Sequence, residues 1–298
     1  MFVAFVLILT VLFRQTLSTC DCGLPNPKIP MIGDTSSETK PVFPHESIPW
    51  HVTIKKEAKQ IECSGVIISE GYVLTDSLCF WISDEVQVYA EYKDMKFLQN
   101  VVGTVVMKEI GANVIKLSEN LNLNENVMSA CLPSDPVQSF IGKKGIVSHI
   151  FENQILYKDY VTIISNNDPK CDRSTNNICA RTSTCYKSKG HPLVTLHNGK
   201  WTLVGINWEN GCDNSNKDTA FGSIPKIANT LRDELKLDDS CSHVKNHPVV
   251  PKCDLNCLFH GLNSTLKDDK FSLFCKNGYC KIQNSTFDIC DPKLCIIV

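Results

Sequence analysis

Between Trp50 and about Ile224 the chain is written in short runs of Val, Ile, Thr and aromatic residues, each ended by Gly, Asn or Pro. The clearest are WHVTI (50–54), SGVIIS (64–69), VQVYA (86–90), VVGTVVM (101–107), YVTIIS (160–165) and WTLVGI (201–206). β-Branched and aromatic side chains suit a pleated, half-buried surface, and short runs at this spacing predict an all-β sandwich or barrel. One segment changes period. In KIANTLRDELKL (226–237), Ile227, Leu231 and Leu235 recur at helical spacing, and Pro225 suits a first turn, so a helix is predicted over 225–237. Beyond it the apolar periodicity fades. Residues 238–298 hold seven cysteines, and SCSHVKNHPVVPK (240–252) reads as a linker, which puts a domain boundary near 238.

Composition narrows the class. Apolar residues are 43% of the 298, enough for a sizeable core, and the net charge of −2 points neither to a nucleic-acid partner nor to disorder. Residues 1–19, MFVAFVLILTVLFRQTLST, carry an apolar run from Phe2 to Phe13 followed by small and polar residues. That pattern predicts a cleaved signal peptide and export, with no membrane span after cleavage. Sixteen cysteines without a CxxC pair fit disulfides in an oxidising compartment better than zinc.

Several motifs then occur in a telling order. They are Cys22-Gly23, Pro49-Trp50-His51-Val52, Cys63-Ser64-Gly65-Val66-Ile67-Ile68-Ser69, Val73-Leu74-Thr75 with Cys79, and Val114-Ile115-Lys116-Leu117 with Ala130-Cys131-Leu132-Pro133. After these come Cys185 with Gly190-His191-Pro192-Leu193-Val194, and Trp201 to Cys212. Together they resemble the trypsin- and chymotrypsin-like serine proteases over about residues 22–237. The resemblance implies two packed six-stranded antiparallel β-barrels closed by a C-terminal helix, with the cysteine-rich tail as an addition. The domains would be a signal peptide at 1–19, the protease-homology domain at 20–237 and the tail at 238–298.

In that family a serine attacks, a histidine takes its proton and a buried aspartate holds the histidine. Here the histidine position reads Leu78, the aspartate position Gly111 and the serine position Lys189. The resemblance places Lys187 at the oxyanion glycine and Ser188 at the aspartate that receives a new N-terminus. It places Ser183 at the base of the specificity pocket and Glu209, beside Trp208, at its mouth. An Ile-Val-Gly-Gly start is replaced by KIPMIG (28–33). The expectation is a chain that is not an enzyme, with no cofactor and no metal. A Ser188–Lys189 dyad, a base at His191 and a metal pair at His243 and His247 are the alternatives, each less supported than a loop or linker reading.

The resemblance further implies the disulfides Cys22–Cys131, Cys63–Cys79, Cys171–Cys179 and Cys185–Cys212. It leaves Cys20 and the seven tail cysteines unassigned. Asn263 and Asn284 head the two Asn-x-Ser/Thr sequons, both in the tail. The function expected is that of an extracellular protein binder, a regulator or decoy. A hydrolase with a relocated site and a structural glycoprotein are the other readings. Recognition is expected on surface loops, with 55–60, 166–177 and 213–218 as candidates, and on the tail.

Overall fold

A computed structural model of the chain describes residues 22–24, 26, 28–30, 39–56, 61–93, 96–109, 112–150, 155–168, 171, 177–182, 186, 189–207 and 218–237. In the tail it describes 272–276, 279–284 and 287–289. Two compact units result, residues 1–245 and 246–298.

The apolar runs become the strands of two barrels. In the first, β2 (His51–Lys56), β3 (Ile61–Ser69), β4 (Tyr72–Thr75), β5 (Glu85–Lys93), β6 (Lys96–Glu109) and β7 (Ala112–Leu117) close in the order β2-β3-β4-β7-β6-β5. Along β5, Val86, Val88, Ala90 and Tyr92 point inward and alternate with more exposed residues, as a period of two requires. The barrel is filled by Val52, Ile54, Ile67, Val73, Val88 and Ile115 with their neighbours.

The second barrel is built from β8 (Lys144–Ile150), β9 (Leu156–Ile164), β10 (Asn177–Arg181), β11 (Pro192–His197), β12 (Lys200–Asn207) and β13 (Asp218–Ser223). These run β9-β10-β13-β12-β11-β8 and close through β8–β9. The short β1 (Thr39–Pro41) adds to the edge of β9. Two six-stranded antiparallel barrels are therefore present, as the motifs imply.

Trp50, at the entry to β2, and Trp201, in β12, meet in the core between the barrels with ring centroids 5.3 Å apart. The helix α1 (Ile224–Leu235) packs Ile227 and Leu231 into that core with Leu235 at its edge, and Pro225 sits in its first turn. It ends at Lys236 in a left-handed conformation. The predicted helix is thus observed, shifted by one or two residues at its ends.

Three of the implied disulfides form: Cys22–Cys131, Cys63–Cys79 and Cys171–Cys179. The first ties the N-terminal segment down where the Trp201 amide donates to the Gly23 carbonyl at 2.8 Å and the Gly23 amide to the Ser129 carbonyl at 2.7 Å. Cys185, Cys212 and Cys20 lie outside the described residues. In the tail, β14 (Ser272–Lys276), β15 (Tyr279–Asn284) and β16 (Phe287–Ile289) form an antiparallel three-stranded sheet, with Cys275 opposite Cys280. No helix among the described residues is long and apolar enough to cross a membrane.

Candidate functional site

The two segments that would carry the histidine and the nucleophile come together against β3. The Ser64 amide donates to the Lys189 carbonyl at 2.9 Å, and Thr75 Oγ1 at the end of β4 donates to the Ser64 carbonyl at 2.7 Å. Gly190 makes this approach possible. Its φ is +83°, and a Cβ there would collide with the Ser64 carbonyl and crowd Thr75 Oγ1. Its amide donates to the Asn207 carbonyl at 2.8 Å. Lys189 is thereby fixed, half-buried, beside the turn that follows β4.

That turn holds Asp76, Ser77 and Leu78. Leu78 projects outward and is 58% exposed. Asp76 is sealed from solvent, and no side chain among the described residues hydrogen-bonds either of its oxygens. Burial is the main influence on its carboxyl and pushes its pKa up to about 6. The amides of Ser77 and Leu78 and the charges of Lys189 and Lys108 pull the other way without cancelling it. Beside them Asn113 is also buried and donates through Nδ2 to the Phe80 carbonyl at 2.8 Å.

Of the three triad positions, Leu78 and Lys189 are described, while Gly111 is not. Leucine has no lone pair to accept a proton, and lysine in place of serine presents an ammonium where an alcohol would attack. Ser183, Lys187, Ser188, Trp208, Glu209 and the pair His243 and His247 lie outside the described residues, as does Asn263. Asn284 closes strand β15. Most of the three candidate recognition loops also falls outside them. Among the described residues no three His, Cys, Asp or Glu side chains are placed to hold a metal ion.

His191 turns inward. Its ring packs on Tyr186 and His149, with centroids 5.2 and 5.6 Å away. These three belong to a buried polar cluster inside the second barrel. His149 Nδ1 lies 3.8 Å from Asp159 Oδ2, and both residues are sealed. The Tyr186 hydroxyl shares a hydrogen bond with Thr182 Oγ1 at 3.1 Å. His51 Nδ1 is 2.9 Å from Ser148 Oγ, at the boundary of the two barrels. Burial lowers the His51 pKa to about 3, helped by the neighbouring His149, and lowers that of His149 to about 4 against the pull of Asp159. Burial, then the charge of Asp159, pushes the Tyr186 hydroxyl well above its ordinary range. Both histidines are therefore neutral internal residues at neutral pH.

Two features of this region go beyond the motif reading. Asp76 and Ser77 stand where the resembled family has two alanines, so the substitution was visible, although the sealing of Asp76 was not. Trp81 and Ile82 follow Phe80 directly and are 69% and 57% exposed, a property that a run of apolar letters does not announce.

A family model described as Trypsin matches residues 38–231. Among solved structures the chain is similar to HL collagenase, with a TM-score of 0.55 and 17% identity. The likeness covers 64% of this chain and 94% of that one, and at such identity it is a likeness of fold.

Proposed function

Because the chain belongs to the trypsin family, its site is to be judged against the three groups that family's chemistry requires, and we propose that it is a non-cleaving, secreted member that acts by binding protein. The observation that carries this reading is the pair Leu78 and Lys189, at the positions of the proton acceptor and the nucleophile. Leu78 projects outward with no basic atom. His51 and His149 are enclosed elsewhere in neutral form, and His191 packs on the interior cluster. Gly111 and Lys187, at the aspartate and oxyanion positions, extend the same argument from sequence alone. Packing and disulfides maintain the barrels without any of these groups, so fold and chemistry separate.

The leader at 1–19, the disulfides and the two sequons at Asn263 and Asn284 support an extracellular setting. On this reading residues 20–237 are the binding scaffold and 238–298 a cysteine-rich, glycosylated tail. The full chain is incubated with extracellular fluid from its source, and new protein N-termini are counted by terminal labelling. Saturable association with no new termini is expected. New termini that disappear with Lys189→Ala would overturn the proposal.

A further inference from the structure

The loop that carries Leu78 has a second property. Leu78, Trp81 and Ile82 lie within five residues, and each is more than half exposed. Single exposed apolar residues are ordinary, but three large ones on one short loop are a patch.

The loop is also held rigidly. Cys79 and Phe80 are buried, and the Cys63–Cys79 disulfide fixes its base. The Cys79 amide donates to the Asp76 carbonyl at 3.2 Å, the Trp81 amide to Asp84 Oδ2 at 2.9 Å and the Asp84 amide to the Trp81 carbonyl at 3.0 Å. On the outer side, the Ser83 amide donates to the Val105 carbonyl at 2.8 Å, and the Val105 amide to the Asp84 carbonyl at 3.0 Å. The loop is therefore preorganised, and little backbone freedom would be lost when a partner covers it.

Two lysines stand beside the patch. The Lys108 ammonium stands 5.4 Å from the Trp81 ring centroid. Lys189 borders the same turn: its carbonyl accepts from the Ser64 amide, and the Ser64 carbonyl accepts from Thr75 Oγ1, directly before Asp76. Asp84 is engaged by Lys56 and by the Trp81 amide. Asp76 is sealed and does not meet a visitor. What a partner meets is an aromatic and aliphatic surface edged by two ammonium groups.

We propose that loop 76–84, with Lys108 and Lys189 at its edge, is a docking surface for a protein segment that combines apolar side chains with carboxylates. The proposal rests on the reading of the chain as a protein binder and adds where it binds and what it selects. Buried Trp side chains with complementary charges around them are the usual anchors of such contacts. An anionic lipid surface fits less well, because a broad membrane surface would also meet the exposed Glu85 at the foot of the loop, whereas a short segment need cover only the apolar side chains and the two lysines.

The test uses the full chain on an array of immobilised peptides. One set flanks Leu, Phe or Trp with Glu, a second replaces Glu by Lys, and a third replaces the apolar residues by Ser. Retention on the acidic apolar set is expected to exceed that on either other set at least tenfold, and to weaken in high salt. Trp81→Ser with Ile82→Ser is expected to abolish the preference. Lys108→Glu with Lys189→Glu is expected to turn it toward the basic apolar set. Asp76→Asn, which removes the negative charge beneath, is expected to tighten acidic binding severalfold. Unchanged melting temperatures confirm folding, since the altered apolar side chains are exposed. Equal retention of the three sets, or an unchanged preference in the Trp81→Ser, Ile82→Ser variant, would overturn the proposal. So would retention by phosphatidylserine vesicles with none by the peptides. Cleavage of the peptides, read in the same wells, would refute the non-cleaving reading alone, because the selectivity of the variants is measured independently of it.

Discussion

Lowering the pH from 7 to 5 tests the two enclosed histidines. In the unfolded chain each has a pKa near 6.5, whereas in the fold His51 is lowered to about 3 and His149 to about 4. The unfolded state therefore binds more protons than the folded one below pH 6.5, and stability falls as pH falls through that value. By linkage each histidine removes about 2 kcal/mol between pH 7 and 5, about 4 kcal/mol together. Asp76 opposes them. Its pKa rises on folding from 3.8 to about 6, so the folded state takes up the proton first as pH falls, which returns about 1 kcal/mol over the same range. The three groups together predict a loss of about 3 kcal/mol, a large part of an ordinary domain's stability. The assay is urea unfolding followed by tryptophan fluorescence. All four tryptophans, Trp50, Trp81, Trp201 and Trp208, precede the tail, so the signal reports on the barrels. His51→Gln with His149→Gln cannot take up the protons, and the variant should lose about 4 kcal/mol less than the parent between the two pH values. Other titrating groups are common to both proteins and cancel. Equal pH dependence in parent and variant would refute the reasoning.

Trp50→Ala removes a fully buried side chain from the core between the barrels and should cost about 3–5 kcal/mol in the same assay. Gly190→Ala forces a side chain into the left-handed region and against the Ser64 carbonyl, at a cost of about 1–3 kcal/mol or more. Hydrogen exchange should speed up at the Ser64 amide, which the Lys189 carbonyl now protects. Replacing Cys63 and Cys79 by Ser opens a loop spanning 16 residues and should destabilise the first barrel by about 3 kcal/mol. Restoring Leu78→His, Gly111→Asp and Lys189→Ser together should yield no measurable peptidase, since on the proposed reading Lys187 and Ser188 align with the oxyanion glycine and the activation aspartate; turnover by that variant would overturn that reading.

The barrels were legible because their strands are made of residues that fit only a pleated, half-buried surface, as in VQVYA and WTLVGI, and because the cysteines sit at fixed places among them. The helix was legible from three residues, Ile227, Leu231 and Leu235. Leu78 and Lys189 were equally legible as departures from a motif, since a substitution is written in the letters themselves. The arrangement around them was not. Asp76 is sealed where Lys189 is held against Ser64, a contact between segments far apart in the chain. Trp81 and Ile82 are exposed on a loop whose Ser83 amide donates to the Val105 carbonyl on β6 and whose Asp84 carbonyl accepts from the Val105 amide. The joining of His51 to Ser148 brings β2 of one barrel to β8 of the other. Local pattern encodes each element's inner face, but not which polar groups meet once the faces close.

If Lys189 stands in place of the nucleophile, the chain does no acyl chemistry there, and covalent labelling tests this most directly. The purified full chain and an active trypsin are treated with a fluorophosphonate probe, which reacts with an activated serine, and each is weighed intact by mass spectrometry. Complete labelling of trypsin is expected and none of this chain, native or denatured. A single adduct on the native protein, lost on denaturation and mapped to Ser188 or another serine of the cleft, would contradict it.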